Sequence, residues 1–181
     1  IGALRDWLRG KVALRRVLKC WGAVLKLPLV HLRLAKDYWL PFDWYLETEK
    51  DLPATYYFIP FKRRKGERVT ARKAARRAAS YDITDLPEWT SVLLAAGCEI
   101  GVHGIDAWHS AEKGRQELER VTRVAPRSSR GIRMHWLLRD ENTPRLLEQA
   151  GYSYDSTSGY NETVGYFSGT TQVFRPPGAQ T

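Results

Sequence analysis

Three of the four histidines lie in or just beyond segments that have the composition of short β-strands. His103 directly follows the β-favouring run at residues 99–102, and His109 comes later on the same loop, with Asp106 halfway between them. Imidazole and carboxylate groups on a loop that leaves a strand are suitable ligands for zinc or a similar divalent ion. The pattern therefore predicts a metal site, most simply a zinc site, with His103 and His109 as ligands. Asp106 has two open interpretations, a further ligand or a side chain that caps the turn.

A second polar group is expected at the third predicted strand, residues 131–136. Arg133 and His135 are two residues apart, so their side chains point to the same face of that strand. A guanidinium in this position needs a carboxylate partner, and Asp155, at the end of the next predicted strand, is a natural one. Such a pair orients a general base or stabilises an oxyanion, which makes Arg133, Asp155 and His135 the candidate catalytic residues. A structural salt bridge between the strands explains the same pattern equally well.

Aromatic residues are also concentrated near these strand ends. They are candidates for an aromatic wall that binds sugar rings, although aromatic residues beside a strand end commonly belong to the core. The candidate substrate-binding residues are Trp108, Trp136 and Tyr160, with Tyr166 close by.

Short β-rich runs alternate with helical segments from about residue 54 onward. This alternation, with crossovers of 20 to 30 residues, predicts parallel βαβ units, arranged either as a doubly wound sheet or as a barrel. In both architectures the working face lies at the carboxyl ends of the strands, where the histidines are. A capping box of Asp85 and Glu88 is expected to begin the helix at 85–96, and Gly97 and Gly151 are expected to end helices. The predicted strands are 54–59, 99–102, 131–136 and 152–155, and the predicted helices are 42–50, 85–96, 110–124 and 143–150.

The charge of the chain is concentrated in two segments. The 181 residues include 29 Lys or Arg and 20 Asp or Glu, a net charge of +9, and residues 1–36 and 62–77 each carry a net +8. The surplus is therefore local, which argues against a domain that binds nucleic acid as a whole. The 62–77 segment has no interleaved aromatic residues for base stacking, so we expect an exposed loop and helix end.

Residues 1–36 are predicted to form a cationic amphipathic helical segment, separate from a second domain at 37–181. Leu4, Trp7, Leu18 and Trp21 are among the apolar residues that recur at three- and four-residue steps. Two interpretations stay open: peripheral attachment of residues 1–26 to an anionic membrane, or packing of the apolar stripe on the protein's own domain. No apolar run reaches the roughly 18 residues of a membrane span, and basic residues interrupt any signal-peptide core. A cytoplasmic or membrane-peripheral location is favoured.

The order of motifs resembles the polysaccharide deacetylase family, the NodB-like carbohydrate esterases of family 4. The motifs are PATYYFIP, CEIGVHG with a second histidine, GIRMHWL, LLEQAGYSYDSTSGY and a glycine-containing segment that ends VFRPP. The likeness covers about residues 42–177. It implies a distorted (β/α) barrel of parallel strands and metal-dependent hydrolysis of acetamide groups on N-acetylated sugars.

The resemblance also implies roles for individual residues. The histidine motif falls on His103 and, with a wider spacing than is usual in the family, on His109. The arginine motif falls on Arg133, with His135 and Trp136 behind it, and the acidic motif that orients the catalytic base falls on Asp155. The family's aspartate-rich first motif and its Leu-x-His last motif are not found between Ile1 and Thr181. The resemblance therefore implies the central part of a deacetylase barrel, incomplete at both ends.

Two functions from different classes follow. One is metal-dependent hydrolysis of N-acetyl groups on a glycan. The alternative is a barrel without catalytic activity that binds glycans or serves as a scaffold and is docked by its basic helix. Nucleic-acid binding through the basic segments is the least favoured partner interaction, and it would show a steep salt dependence.

Overall fold

The computed structural model describes residues 4, 7–11, 13–32, 34–35, 37, 40–68, 78–126, 128–160, 163–177 and 179. The chain forms two compact units, Ile1–Thr48 and Glu49–Thr181. The first unit contains helices α1 (Leu14–Leu25) and α2 (Leu27–His31), and helix α3 (Phe42–Glu49) ends at the boundary between the units. None of the helices in the described ranges has the length and apolar character needed to cross a membrane.

The second unit is an α/β fold built on a parallel sheet of four strands. The strands are β1 (Thr55–Phe58), β2 (Glu99–Gly104), β3 (Gly131–Met134) and β4 (Tyr154–Asp155), and they lie side by side in the order β1-β2-β3-β4. Among the described residues, the helices between the strands are α4 (Pro87–Ala95), α5 (Ala111–Val124) and α6 (Thr143–Ala150). The prediction of parallel βαβ units is confirmed.

One face of the sheet carries the hydrophobic core. Alternate residues of β2 and β3 are fully buried and paired in register, as Val102 lies opposite Ile132 and Gly104 opposite Met134. Helices α4 and α5 both contact β2, and α5 contacts α6, so the helices form a layer over the sheet. Because parallel crossovers are right-handed, strands in sequential order place their helices on the same face. No reversal of strand order, the mark of a doubly wound sheet, occurs among the four described strands.

The other face of the sheet is polar and is shaped by two glycines. A Cβ atom on Gly101 would lie 2.8 Å from the ring of Tyr57, and one on Gly131 would overlap the ring of Tyr154. The two tyrosine rings therefore lie across the sheet in space that the glycines leave open. Ser156 Oγ donates a hydrogen bond of 2.9 Å to the hydroxyl of Tyr57, which joins the region of the last strand to the first.

The sequence predicted the positions of the elements but not all of their ends. Ser110 caps α5 by accepting a hydrogen bond from the backbone N–H of Lys113, and Gly151, with φ of +97°, ends α6 as expected. The prediction that Asp85 and Glu88 form a capping box was wrong. Asp82 caps a separate 3-10 turn at Ile83–Asp85, and Asp85 closes that box by accepting from the backbone N–H of Asp82.

Strands β2 and β3 end at residues other than the predicted ones. Strand β2 extends to Gly104 because His103 and Gly104 still pair with β3. Strand β3 ends at Met134, two residues before the predicted end, because Trp136 and Leu137 adopt positive φ angles of 60° and 56°. Of the basic segment at 62–77, residues 69–77 lie outside the described residues, and the described part contains exposed cations such as Lys62 and Arg63.

We expect Gly101→Ala to destabilise the second unit by about 1–3 kcal/mol, the usual cost of overpacking. The added methyl group would meet both the Tyr57 ring and the backbone oxygen of Gly131, 2.9 Å away, and the backbone cannot easily yield. Urea unfolding followed by circular dichroism measures the change. Gly22→Ala in α1 is the control, since a Cβ there meets nothing within 4 Å. Equal stability of Gly101→Ala and wild type would contradict the close packing of Tyr57.

Candidate functional site

Two histidines from neighbouring strand ends meet at the carboxyl edge of the sheet. His103 lies in β2 and His135 directly follows β3, and Nε2 of His103 is 2.8 Å from Nδ1 of His135. The rings meet edge to face, with centroids 4.8 Å apart. Both histidines are half-buried, so the pair is partly shielded from water.

The environment of His103 favours the neutral imidazole. Burial lowers the pKa of His103 to about 4, and the neighbouring His135 ring and the positive charge of Arg133 act in the same direction. Since the ring is neutral over the physiological range, the lone pair of one ring nitrogen is available to accept a hydrogen bond or to bind a metal ion. The chemistry of this donor pair, two imidazoles, fits a zinc-like ion.

Arg133 lies beside this pair because it is opposite His103 in the register of β2 and β3. Its Nη1 atom donates a 2.5 Å hydrogen bond to the backbone oxygen of Ser156, just after β4. The Ser156 side chain in turn donates to Tyr57. Burial raises the pKa of Tyr57 to about 12, so its hydroxyl keeps its proton at neutral pH. The polar face therefore presents a guanidinium, two imidazoles and a phenol together.

The expected ion pair between Arg133 and Asp155 is not formed in the described part of the chain. Asp155 is paired with Ile132 in the register of β3 and β4. Residues paired in this way point to the same face of a sheet, and Arg133, the next residue, points to the other. Asp155 instead accepts hydrogen bonds from the backbone N–H and the hydroxyl of Thr157. Its link to the site is indirect, because the Thr157 hydroxyl oxygen accepts from the backbone N–H of Met134, at the end of β3.

The loop after β2 is held by two buried carboxylates. Asp106 is fully buried, and its Oδ1 atom accepts from the backbone N–H of Glu67 at 2.8 Å and lies 3.2 Å from Nε2 of His109. Glu117, fully buried on α5, accepts from the backbone N–H groups of Ile105 and Asp106 at 3.0 and 2.8 Å. The loop that carries His109 is thus fixed by side chains, whereas His103 is fixed by the pairing of β2 with β3.

The two predicted metal ligands have different partners. No hydrogen bond or ring contact found among the described residues joins His103 to His109. Asp106 contacts His109 within the loop and accepts a hydrogen bond from the backbone N–H of Glu67 outside it. In the described ranges, no group of three or more His, Cys, Asp or Glu side chains is arranged to hold a metal ion.

The predicted aromatic residues do not form a single wall. Trp108 packs edge to face against His109, Trp136 lies 4.2 Å from the ring of His135, and Tyr160 packs on Phe167 at 5.2 Å, all centroid distances. Tyr166 and Phe167 line a groove of about 740 Å³ beside β4.

That groove also contains the carboxylate of Asp155 and the side chain of Arg139 among its lining residues. A second groove, of about 810 Å³, is lined by residues such as Ser128, Arg130 and Gly151 just before β3 and β4, at the edge opposite the histidines. The groove beside β4 is therefore the one of the two that lies near the candidate site.

Sequence reasoning missed three residues that shape this site: Tyr57, Ser156 and Glu117. Alternation in β1 could have placed Tyr57 on the face of His103, since every second residue shares a face. For Glu117 the signal was weak, because a glutamate inside an amphipathic helix is ordinarily solvent-exposed. No protein-family model, no curated protein and no solved structure matches this chain.

The buried carboxyl of Glu117 gives a prediction for stability against pH. Burial raises the pKa of Glu117 to about 7 from its ordinary value of 4.5. Its contribution to stability is therefore fully present below pH 4.5 and is lost as the pH rises toward 7, because the unfolded chain releases the proton earlier. Relative to Glu117→Gln, wild-type stability should fall between these pH values, by up to about 1.4 kcal/mol per pH unit.

Urea unfolding at pH 4.5, 5.5 and 7 measures this difference. Glu119→Gln is the matched control, since Glu119 is exposed on the same helix. The stability difference between wild type and this control should not vary with pH. If the stability difference between wild type and Glu117→Gln also does not change with pH, the pKa of Glu117 is not raised and the carboxyl is ionised in the folded protein.

Proposed function

We propose that this protein is a metal-dependent hydrolase that removes N-acetyl groups from a glycan, with a (β/α) barrel as its fold. The observation that carries the proposal is the meeting of His103, His135 and Arg133 at the carboxyl ends of two adjacent parallel strands. In barrels of alternating strands and helices, this edge is where catalytic residues are found. The order of motifs along the chain supports the same reaction by resemblance.

The curvature of the sheet supports the barrel. The hydrogen bond between Tyr57 and Ser156 joins the first strand to the residue that follows the last one. In a flat sheet these strands would be three spacings apart, about 14 Å, which is too far for these two side chains to bridge. This bond supports a sheet whose polar face is concave. A concave inner face with helices outside and strands in sequential order is the winding of a barrel.

A divalent ion bound at the histidine side of this face would supply a Lewis acid that polarises the amide carbonyl and lowers the pKa of water. In the proposal, His103 holds the ion with a second imidazole from His109 or His135. Arg133, fixed by the backbone oxygen of Ser156, directs its remaining N–H donors at the developing negative charge of the acetamide oxygen. Asp155 acts through Thr157, which secures the end of β3, and is thus a positioning residue.

The groove beside β4 suits a sugar chain. Tyr166 and Phe167 present aromatic surface, and Arg139, Ser158 and Asp155 present polar groups among its lining residues. Sugar rings bind through this combination of apolar ring faces and hydroxyl hydrogen bonds. We therefore assign the glycan to this groove, whose lining includes Ser156, the residue whose backbone oxygen binds Arg133.

Arg133→Ala should reduce kcat/KM for acetate release by roughly 100-fold, the effect typical of a lost oxyanion donor. Arg133→Lys should recover only part of it, because lysine keeps the charge but not the planar fork of donors. Acetate release is measured from N-acetylglucosamine oligomers with added Zn²⁺. Arg115→Ala is the matched control, because Arg115 is exposed on α5 and lines the groove at the opposite edge.

If wild-type protein binds the oligomers but releases no acetate, the proposed hydrolase activity is contradicted and the alternative, a barrel that binds glycans without catalysis, is favoured. Circular dichroism of each variant shows whether the fold is retained, since Arg133 also bonds to Ser156.

A further inference from the structure

We propose that the metal ion of this site is held by His103 and His135, one ligand from each of two neighbouring strands, and not by His103 and His109. The assignment rests on the proposed metal-dependent function. The sequence predicted His103 and His109, which are six residues apart along the chain, whereas His103 and His135 come from two neighbouring strands.

The position of His135 follows from the way β3 ends. Met134 is the last residue of the strand, and the backbone then turns through the positive φ angles of Trp136 and Leu137. This turn places Nδ1 of His135 2.8 Å from Nε2 of His103. Two nitrogen ligands of a tetrahedral zinc ion lie about 3.3 Å apart, given Zn–N bonds of about 2.0–2.1 Å. A small outward rotation of one ring is therefore enough to admit the ion.

The surroundings of His109 point to a structural role. Its side chain is only 5% exposed, and its Nε2 atom lies 3.2 Å from a carboxylate oxygen of Asp106, whose side chain is 1% exposed. The same oxygen binds the backbone N–H of Glu67. Asp106 thus ties the loop after β2 to the 61–68 stretch, and His109 is held against the same carboxylate. Trp108 packs against its ring and further restricts access to it.

The pair also has the chemistry that a bound ion needs. Two imidazole ligands leave two positions of a tetrahedral ion for water, for substrate or for a further ligand. The partial burial of both rings strengthens the interaction of an ion with its ligands, because the local dielectric is lower than in water. The charged group facing the pair is Arg133, opposite His103 in the register, with one of its nitrogens bound to the Ser156 oxygen.

Calorimetric titration with Zn²⁺ tests the assignment directly. Wild-type protein is expected to bind one ion per chain, His103→Ala and His135→Ala to weaken binding at least tenfold, and His109→Ala to bind within about twofold of wild type. His31→Ala, which changes the one histidine outside this unit, is a further control. His135→Gln provides a second variant of similar size in case His135→Ala fails to fold.

Loss of zinc binding in His109→Ala together with retention in His135→Ala would overturn the assignment, as would the absence of saturable binding by wild type. Ring-nitrogen NMR shifts on Zn²⁺ addition should appear at His103 and His135. The proposed function is tested separately from the ligand assignment. If His103 and His135 bind zinc but the protein releases no acetate, the ligand assignment holds and the proposed hydrolase activity is contradicted.

A different observation carries a second proposal, which does not depend on the first. We infer that helix α1 docks on the surface of an anionic membrane. Of its apolar side chains, Val17 is buried, whereas Leu18, Trp21 and Leu25 are 63%, 49% and 74% exposed. These three lie at i, i+3 and i+7, on one stripe of the helix, so the apolar face is presented to solvent.

The charges of α1 indicate that the surface it binds is anionic. The helix contains Arg15, Arg16 and Lys19 and no acidic residue, and these three cations are exposed. At 100° per residue, Arg15 borders the stripe of Leu18 and Trp21. Arg16 and Lys19 lie on the far side of the helix from it. An apolar stripe bordered by cations is complementary to the boundary between anionic headgroups and acyl chains. Twelve residues span about 18 Å, which suits a helix lying in that boundary.

Flotation with liposomes tests this surface. The protein should bind vesicles of phosphatidylcholine with 30% phosphatidylserine and bind pure phosphatidylcholine vesicles at least fivefold less. Leu18→Ala with Trp21→Ala should reduce binding to the anionic vesicles several-fold, and Arg15→Ala should reduce it by about fivefold. Val92→Ala is the matched control, an exposed apolar residue in the second unit.

Absence of binding to the anionic vesicles would overturn the proposal, and so would equal binding to both vesicle types. Salt-sensitive binding of an RNA oligomer by α1 without vesicle binding would assign the helix to nucleic acid instead. Circular dichroism confirms that the variants keep their helix content.

Discussion

The parallel register of β2 with its two neighbours is the constraint on which the rest of the second unit depends. Phe58, Val102 and Ile132 lie opposite one another and are buried, whereas His103 lies opposite Arg133. A slip of one residue would move the apolar side chains to the polar face and place an imidazole and a guanidinium beneath the helices. Because burial of such groups costs several kcal/mol, the core and the site fix the same register.

Polar side chains then connect the strands on the polar face. Thr55 on β1 and Tyr154 on β4 both donate to one carboxylate oxygen of Glu99, at 2.9 and 2.8 Å. These bonds are possible because Gly101 and Gly131 leave room for aromatic rings that cross the sheet. Glycine normally weakens a strand, since it loses more backbone entropy and packs no side chain. Here that loss is offset by tyrosines that join strands which are not adjacent.

Local sequence signals predicted most of the fold, and non-local pairing explains what they missed. Strands, helices and the helix end at Gly151 depend on neighbouring residues, so composition and spacing were sufficient to locate them. The meeting of His103 with His135 depends on which strands pair and on the turn after β3. A motif on one loop suggested His109 as the partner of His103, and only the register shows that His135 approaches more closely. The same applies to Asp155, whose face is decided by its pairing with Ile132.

The turn after β3 is strained, and the bonds around it show why it persists. Positive φ angles at two successive non-glycine residues, Trp136 and Leu137, cost of the order of 1–3 kcal/mol each. The turn is secured at its start by the backbone N–H of Met134, which donates to Thr157, and Thr157 donates to Asp155. Replacing that hydroxyl or that carboxylate would release the end of β3 and allow the turn to relax. Asp155 would therefore act on the site through the position of His135, even though it faces away from Arg133.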